Sequence, residues 1–129
     1  MANRRMFSIK IINSDAFLSM RPSARHLYVM LNMWADDDGF VDSPRVVMRL
    51  AQASAPDMKT LIERGFLIPF GNGVVAVTHW RAHNLLRKDR HVPTRYQAQL
   101  ARLTLKPGGE YALSPAPPAE RAADARAWA

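Results

Sequence analysis

The sequence predicts an α+β domain in which several helices precede a two-stranded β-hairpin. Apolar residues recur at helical spacing over residues 22–35, and serine caps at Ser43 and Ser54 begin two further helices. Two β-rich runs then flank a glycine-containing loop at residues 71–73. This order of helix, short strand, helix, helix and hairpin is that of a winged helix, a helix-turn-helix followed by a β-wing.

Two short elements are predicted before the first long helix. Residues 7–11 alternate apolar and polar side chains, which indicates a half-buried strand or an extended arm. The polar residues 13–15 offer caps for a short helix that runs to Leu18. Pro22 suits the first turn of the long helix, because the N–H that it lacks would be unpaired there.

The long helix predicts a buried face made of Ala24, Leu27, Tyr28, Leu31 and Ala35. Trp34 lies beside this face, so we expect it to be buried, with stacking on an exposed base as the alternative. Gly39 can adopt a positive φ and close the helix. The aspartates at residues 36–38 lack the spacing of a calcium loop, so we interpret them as turn residues. Residues 40 and 41 predict a short strand.

In the second helix, Ser43 is the cap, Pro44 lies in the first turn, and the predicted inward face is Val46, Val47, Leu50 and Ala51. Ser54 and Asp57 have the spacing of a capping box for the third helix. Its apolar residues Met58, Leu61 and Ile62 point inward, and Lys59, Thr60, Glu63 and Arg64 point outward. Gly65 ends this helix.

Residues 66–70 and 74–78 predict the wing hairpin, with Pro69 on an edge strand because proline cannot donate to a ladder. After it, residues 80–90 are helical or irregular, residues 94–103 are compatible with a helix, and residues 103–113 predict a last hairpin. We therefore expect a winged-helix domain over residues 1–113 and a Pro/Ala-rich, disordered tail over residues 114–129.

The composition limits the possible functions. The 129 residues leave no room for a second catalytic domain, and the absence of cysteine excludes disulfides and thiolate zinc sites. No signal peptide or apolar run near the roughly 20 residues of a membrane span occurs, so we expect a cytoplasmic protein without a membrane partner. No nucleophile elbow, phosphate-binding glycine loop or paired-carboxylate site is present, so we expect neither an enzyme nor a cofactor. His79 and His83 lack a third ligand, so we expect no metal.

The net charge of +7 favours a polyanionic partner, although a merely soluble basic surface is the plainer alternative. Residues 81–95, here called the basic segment, follow the wing directly and predict contacts to DNA phosphates. The candidate DNA-binding residues are Lys59, Thr60 and Arg64 of the third helix, Asn72 of the wing, Arg81, Arg87, Lys88, Arg90 and Arg95 of the basic segment, and Arg4 and Arg5 of an N-terminal arm. Because acidic residues balance the cations of the third helix, we expect low sequence specificity.

Several short stretches occur in one order along the chain: Arg5-Met6-Phe7, residues 11–17, Leu31-Asn32-Met33, residues 35–41, Ile68-Pro69-Phe70, His79-Trp80 and residues 87–90. Through them, residues 4 to about 113 resemble the N-terminal domain of phage replisome-organiser proteins and DnaD-like replication proteins. The resemblance implies a winged-helix domain acting in phage or prophage DNA replication, often joined to a C-terminal region that engages the helicase-loading machinery. We expect that region to be missing here or reduced to the tail.

Three functions remain open from the sequence. The first is a replication-type protein that binds double-stranded DNA, with single-stranded DNA as a further ligand. The second is a winged-helix transcriptional regulator with operator preference and dimer symmetry. The third is a protein-interaction module for a helicase loader or another replisome protein. The sequence leaves the oligomeric state open.

Overall fold

The computed structural model of the chain describes residues 4–85 and 87–114. Its helices are α1 (Ile9–Ile12), α2 (Asp15–Leu18), α3 (Pro22–Trp34), α4 (Pro44–Leu50), α5 (Ala55–Glu63), α6 (Trp80–His83) and α7 (Gln97–Leu100). Its strands are β1 (Phe40–Val41), β2 (Leu67–Pro69), β3 (Val75–Val77), β4 (Leu103–Leu105) and β5 (Tyr111–Leu113). The predicted α+β class is confirmed, and the elements from α3 to β3 follow in the predicted order. The predicted tail lies outside the described residues, apart from Ser114.

The main sheet has the order β1-β3-β2, and both pairings are antiparallel. Ala76 of the central strand is opposite Phe40 on one side and Ile68 on the other. β2 is an edge strand, as predicted for a strand that contains Pro69. No strand on its outer side requires the N–H that proline lacks. The last hairpin is also confirmed, since β4 pairs with β5.

The core forms where α3 packs against α4 and α5 above the main sheet. The predicted face of α3 is confirmed, because all five of its residues are buried: Ala24, Leu27, Tyr28, Leu31 and Ala35. Two of the three capping predictions are confirmed, whereas the Ser43 side chain makes no cap hydrogen bond at the start of α4. Ser14 Oγ accepts a hydrogen bond from the Phe17 N–H at the start of α2, and Ser54 and Asp57 form the capping box of α5.

Two predictions about buried residues are wrong. Trp34 is 52% exposed, because it is the last residue of α3 and its ring lines an open cleft. Val46 and Leu50 of α4 are also about half exposed, at 49% and 52%. In this short helix Pro44, Val47 and the following Ala51 are buried and Met48 packs against the core, so its inward face differs from the one that the sequence predicts.

Residues 9–11 lie in a helical turn, so the predicted strand or arm is wrong there. The physical reason is that the preceding backbone donors bind side chains near α6. The Met6 N–H donates to Asn84 Oδ1 at 3.0 Å, and the Ser8 N–H donates to His83 Nδ1 at 2.8 Å. These two hydrogen bonds, rather than the ladder of a β-strand, satisfy backbone donors of the N-terminal segment.

Candidate nucleic-acid interface

The outer face of α5 is open to solvent, as the sequence predicts for the third long helix. Lys59 and Glu63 are both exposed, and their charged groups lie 3.9 Å apart one helical turn from each other. Thr60 Oγ1 donates to the Pro56 carbonyl oxygen within the helix at 2.9 Å. The helix therefore presents a surface of nearly balanced charge, and Lys59 and Thr60 are the predicted residues that remain outward.

Arg64 lies at the end of α5 and contacts the N-terminal part of the chain. Its Nη1 donates to the Ala16 carbonyl oxygen at 3.2 Å and to Ser19 Oγ. Close by, Asp57 of the same helix accepts hydrogen bonds from Arg21 Nη2 at 2.9 Å and Ser23 Oγ at 2.8 Å. These contacts attach α5 to α2 and to the beginning of α3, and they commit part of the Arg64 guanidinium to the fold.

Sequence reasoning missed two cations on α4. Arg45 and Arg49 are exposed and lie four residues apart, which places them on one side of the helix. The exposed side chains of Val46 and Leu50 lie next to them in the sequence. The spacing of four residues between the two arginines is the signal in the sequence that indicates this basic side of the helix.

The loop of the β2-β3 hairpin is stabilised by the side chain of Asn72, one of its own residues. Asn72 Oδ1 accepts a hydrogen bond from the Val74 N–H at 3.2 Å. Gly73 has a φ of +87°, as a residue closing a tight loop often does. Asn72 is exposed at the tip, so its amide nitrogen faces solvent while its oxygen shapes the turn.

Residues 36–39, here called the aspartate turn, follow α3 and have a more specific structure than the sequence predicts. Asp36 Oδ1 accepts hydrogen bonds from the backbone N–H groups of Asp38 and Phe40, both at 3.0 Å. Asp37 and Asp38 are buried, at 5% and 1% exposure. Their carboxylates face a distant part of the chain, so the turn interpretation is correct but incomplete.

The aspartate turn holds the basic segment in position. Asp37 Oδ2 accepts from the Val92 N–H at 3.0 Å, and Asp38 Oδ2 accepts from the Thr94 N–H at 2.8 Å. Asp38 Oδ1 lies 3.0 Å from Arg81 Nη2 and 2.8 Å from His91 Nε2. A buried carboxylate needs such donors to offset its lost hydration. Both ends of residues 81–95 are therefore fixed to the same turn.

The cations of the basic segment differ in whether a carboxylate or an aromatic ring lies against them. Arg87 forms an exposed ion pair with Asp89 at 3.2 Å. Lys88 and Arg90 are exposed and have no ion-pair partner among residues 4–85 and 87–114. Arg95 stacks over Tyr96, with its guanidinium carbon 5.0 Å from the ring centroid, and lies 4.0 Å from Asp42. Lys88 and Arg90 are thus the most available cations of the segment.

The predicted role of Arg5 requires a correction. Its side chain is 2% exposed and forms an ion pair with Asp37 at 3.2 Å. Its guanidinium carbon also lies 4.8 Å from the centroid of the buried Trp80 ring. Arg5 is a buried structural residue and is not available to a phosphate. Arg4 remains exposed.

Eight of the eleven candidate residues fall into two groups, on α5 and on the basic segment. Lys59, Thr60 and Arg64 belong to α5, which is attached to the beginning of α3 through Asp57. The basic segment is attached to the turn that follows the end of α3. The 13 residues of α3 separate the two attachment points by about 20 Å. The structure therefore brings the candidates onto two regions of the surface rather than one cluster.

Burial makes the protein surface more basic than the net charge indicates. Asp37, Asp38 and Asp57 are buried, and the Arg5 side chain, which pairs with Asp37, offsets one of these three buried negative charges. The formal side-chain charges of residues 115–129 sum to zero, because Glu120 and Asp124 balance Arg121 and Arg126. The field of the folded domain is therefore positive, which attracts polyanions.

Comparison of the chain with models of known families, with curated proteins and with solved structures finds no match. The described ranges contain no group of three or more histidine and carboxylate side chains placed to hold a metal ion. None of the helices in these ranges combines the length and the apolar character that crossing a membrane requires.

His83 links α6, α3 and the N-terminal segment. Because the Ser8 N–H donates to its Nδ1, the ring proton must lie on Nε2, which donates to the Tyr28 hydroxyl at 2.6 Å. Burial, together with a smaller effect of the neighbouring His79, lowers the pKa of His83 from 6.5 to about 4. Burial also lowers the pKa of His79. The buried ring is therefore neutral near pH 7.

This geometry predicts a loss of stability in mild acid. The unfolded chain takes up a proton on His83 below pH 6.5 and the folded chain does so only near pH 4, so the contribution is present above 6.5 and lost as the pH falls. Between pH 7 and pH 5 we expect the free energy of unfolding to fall by about 2 kcal/mol from this residue. Urea denaturation at both pH values measures it.

A matched pair of variants isolates the effect. His83→Gln should remove most of the difference between the two pH values, because glutamine does not titrate. His26→Gln, at an exposed position of α3, should retain the difference. An unchanged difference in His83→Gln would assign the acid sensitivity to other groups.

Proposed function

We propose that this chain is a winged-helix domain that binds duplex DNA with low sequence specificity. The observation that carries the proposal is the element order from α3 to β3. A helix pair, α4 and α5, is followed directly by the hairpin β2-β3, and β1 joins that hairpin in one sheet. In helix-turn-helix domains the second helix of the pair enters the major groove and the first crosses the backbone.

In this arrangement α5 is the helix that enters the groove, with Lys59 and Thr60 as its outward polar residues. Arg45 and Arg49 of α4 are placed to meet phosphates as that helix crosses the backbone. The outer face of α5 pairs Lys59 with Glu63 and commits Arg64 to α2, so few groups remain for base edges. This supports low specificity, since base readout depends on free Arg, Lys, Asn or Gln side chains.

The basic segment supplies affinity in this proposal. Lys88 and Arg90 extend from a backbone that the aspartate turn holds at Val92 and Thr94. The distance of about 20 Å between the attachment points of α5 and of this segment corresponds to about six base pairs of duplex. One short stretch of DNA is therefore long enough to meet both groups.

A role in phage or prophage DNA replication is the biological context we propose for this binding. It is supported by the short sequence stretches that resemble replisome-organiser and DnaD-like domains. The same resemblance supports a helicase loader or another replisome protein as a second partner. The duplex-binding proposal does not depend on this context, because it is argued from the helix pair, the hairpin and the exposed cations.

The experiment that tests the proposal is binding of the purified chain to a labelled duplex of random sequence across a salt series. Each neutralised phosphate contributes about −0.9 to the slope of log K against log salt. For contacts by α4, α5 and the basic segment we expect a slope of about −3 to −5 and micromolar affinity at moderate salt. Weak binding with no salt dependence would refute the proposal. A strong preference for one sequence with two-fold symmetry would instead favour the transcriptional regulator.

A further inference from the structure

A cleft of about 370 Å³ lies between the end of α3 and the C-terminal part of the basic segment. This volume lies within the range of roughly 300–1,000 Å³ that is usual for small-ligand sites. Trp34 lines the cleft on one side, Pro93 and Tyr96 line it on another, and Phe40 also contributes to its wall. The cleft is lined by no residue of α4, α5 or the β2-β3 hairpin, but it adjoins the basic segment, which we also propose to contact duplex DNA.

The aromatic walls of the cleft are accessible. Trp34 is 52% exposed although it follows the buried face of α3, so a large aromatic surface faces solvent. Tyr96 is partly buried, and Arg95 stacks on its ring at 5.0 Å. Aromatic rings next to a cation are the combination on which bases of single-stranded nucleic acids stack.

The carboxylates of the cleft are already bonded within the protein. Asp36 Oδ2 accepts from Thr94 Oγ1 at 2.6 Å, and Asp36 Oδ1 accepts two backbone N–H groups. Asp37 is paired with Arg5 and the Val92 N–H. Asp42 lies 4.0 Å from Arg95. These partners leave the aromatic rings as the main surface that a ligand can meet.

Three cations of the basic segment lie within or shortly before the stretch of chain that lines this cleft. Lys88 and Arg90 precede Val92, the first residue of the segment that lines the cleft, and Arg95 lies within that segment. A strand following these residues would place its phosphates beside cations and a base beside Trp34. Three exposed cations, Lys88, Arg90 and Arg95, outnumber Asp42, the exposed carboxylate among the lining residues, and this balance favours a polyanion with exposed aromatic groups over a neutral peptide.

We propose that the cleft binds an unstacked base of single-stranded DNA against Trp34, with the adjoining phosphates on Lys88, Arg90 and Arg95. The inference extends the proposed function, since it adds a second form of DNA at a site that shares Lys88, Arg90 and Arg95 with the duplex interface and adds Trp34 to them. It rests on the proposed function only in assuming that DNA is the polyanion.

The test compares a labelled single-stranded oligonucleotide of mixed sequence with its annealed duplex, using the full chain. We expect Trp34→Ala to weaken single-strand binding about 5- to 100-fold, the range that loss of one stacked base produces, and to change duplex binding less than twofold. Trp34→Phe should recover most of the loss, because phenylalanine keeps a stacking face. Met33→Ala is the control, since Met33 is a 40% exposed neighbour that does not line the cleft.

Tryptophan fluorescence gives a second measurement. In a Trp128→Phe background the remaining tryptophans are Trp34 and the buried Trp80, so single-stranded DNA should quench the Trp34 emission. Duplex binding with no effect of Trp34→Ala on the single strand would refute the cleft while leaving the proposed function intact. Binding of the single strand alone would refute the duplex proposal and support the cleft. No binding of either form would refute both, and quenching by a proline-rich peptide but not by the oligonucleotide would make the cleft a peptide site.

Discussion

Reversing the charges of Lys88 and Arg90 to glutamate is expected to weaken duplex binding by on the order of 100-fold near 0.1 M salt. Each lost phosphate contact removes about 0.9 from the salt slope, so the slope should become shallower by about 2. These two residues are chosen because they are exposed and unpaired within the described part of the chain. Arg87 is left unchanged because Asp89 already neutralises much of its charge.

The control variant carries the same change in net charge at other positions. Lys10→Glu with Lys106→Glu alters exposed lysines of α1 and of the turn between β4 and β5. We expect it to weaken binding only several-fold, through the long-range field. Equal losses in the two double variants would mean that only net charge matters, and the basic segment would then have no specific place in the interface. Titration at several salt concentrations by fluorescence anisotropy measures both slopes.

Replacing Gly39 by alanine is expected to lower the free energy of unfolding by roughly 3–5 kcal/mol, from backbone strain and overpacking together. Gly39 has a φ of +89°, which an L side chain rarely adopts. An added Cβ would also lie 2.6 Å from Cγ of Trp80. Trp80 is 2% exposed, and its Nε1 donates to the Asp37 carbonyl oxygen at 2.9 Å, so the ring has no room to move.

Gly65→Ala separates the two causes. Gly65 has a similar φ of +80°, but an added Cβ there meets nothing within 4 Å. It should therefore cost only the strain of a positive φ, about 1–2 kcal/mol. Urea denaturation of both variants at pH 7 provides the comparison. Equal losses of stability would show that the contact between residue 39 and Trp80 does not constrain the aspartate turn.

Much of the local structure could be predicted because its causes lie within a few residues. The Ser54 cap and Asp57 are three positions apart, and this spacing alone predicts the capping box of α5. The loop at residues 71–73 and the edge position of Pro69 follow from the properties of glycine and proline in hairpins. The five buried residues of α3 follow from a single helical period.

The candidate interface was predicted less well, because availability depends on distant residues. Arg5 and Lys88 are both cations next to other cations in the sequence, yet Arg5 is buried by Asp37 and Trp80 and Lys88 is exposed. The hydrophobic period of α4 indicates which residues face the core, and it gives no information about the exposed Arg49. Trp34 lies at a helical spacing that predicts burial, but α3 ends there and the cleft remains open.

The sequence by itself determined α3, α4 and α5, the caps at Ser14 and Ser54, the two hairpins and a positive charge, since hydrophobic period, capping and turn chemistry act over a few neighbouring residues. Only the tertiary structure decided which charges remain free and where they lie. The aspartate turn bonds to Val92 and Thr94, which are more than 50 residues away, and Trp34 borders a cleft whose other wall belongs to that same distant segment. Such contacts depend on which surfaces the core brings together, and no local pattern encodes that choice.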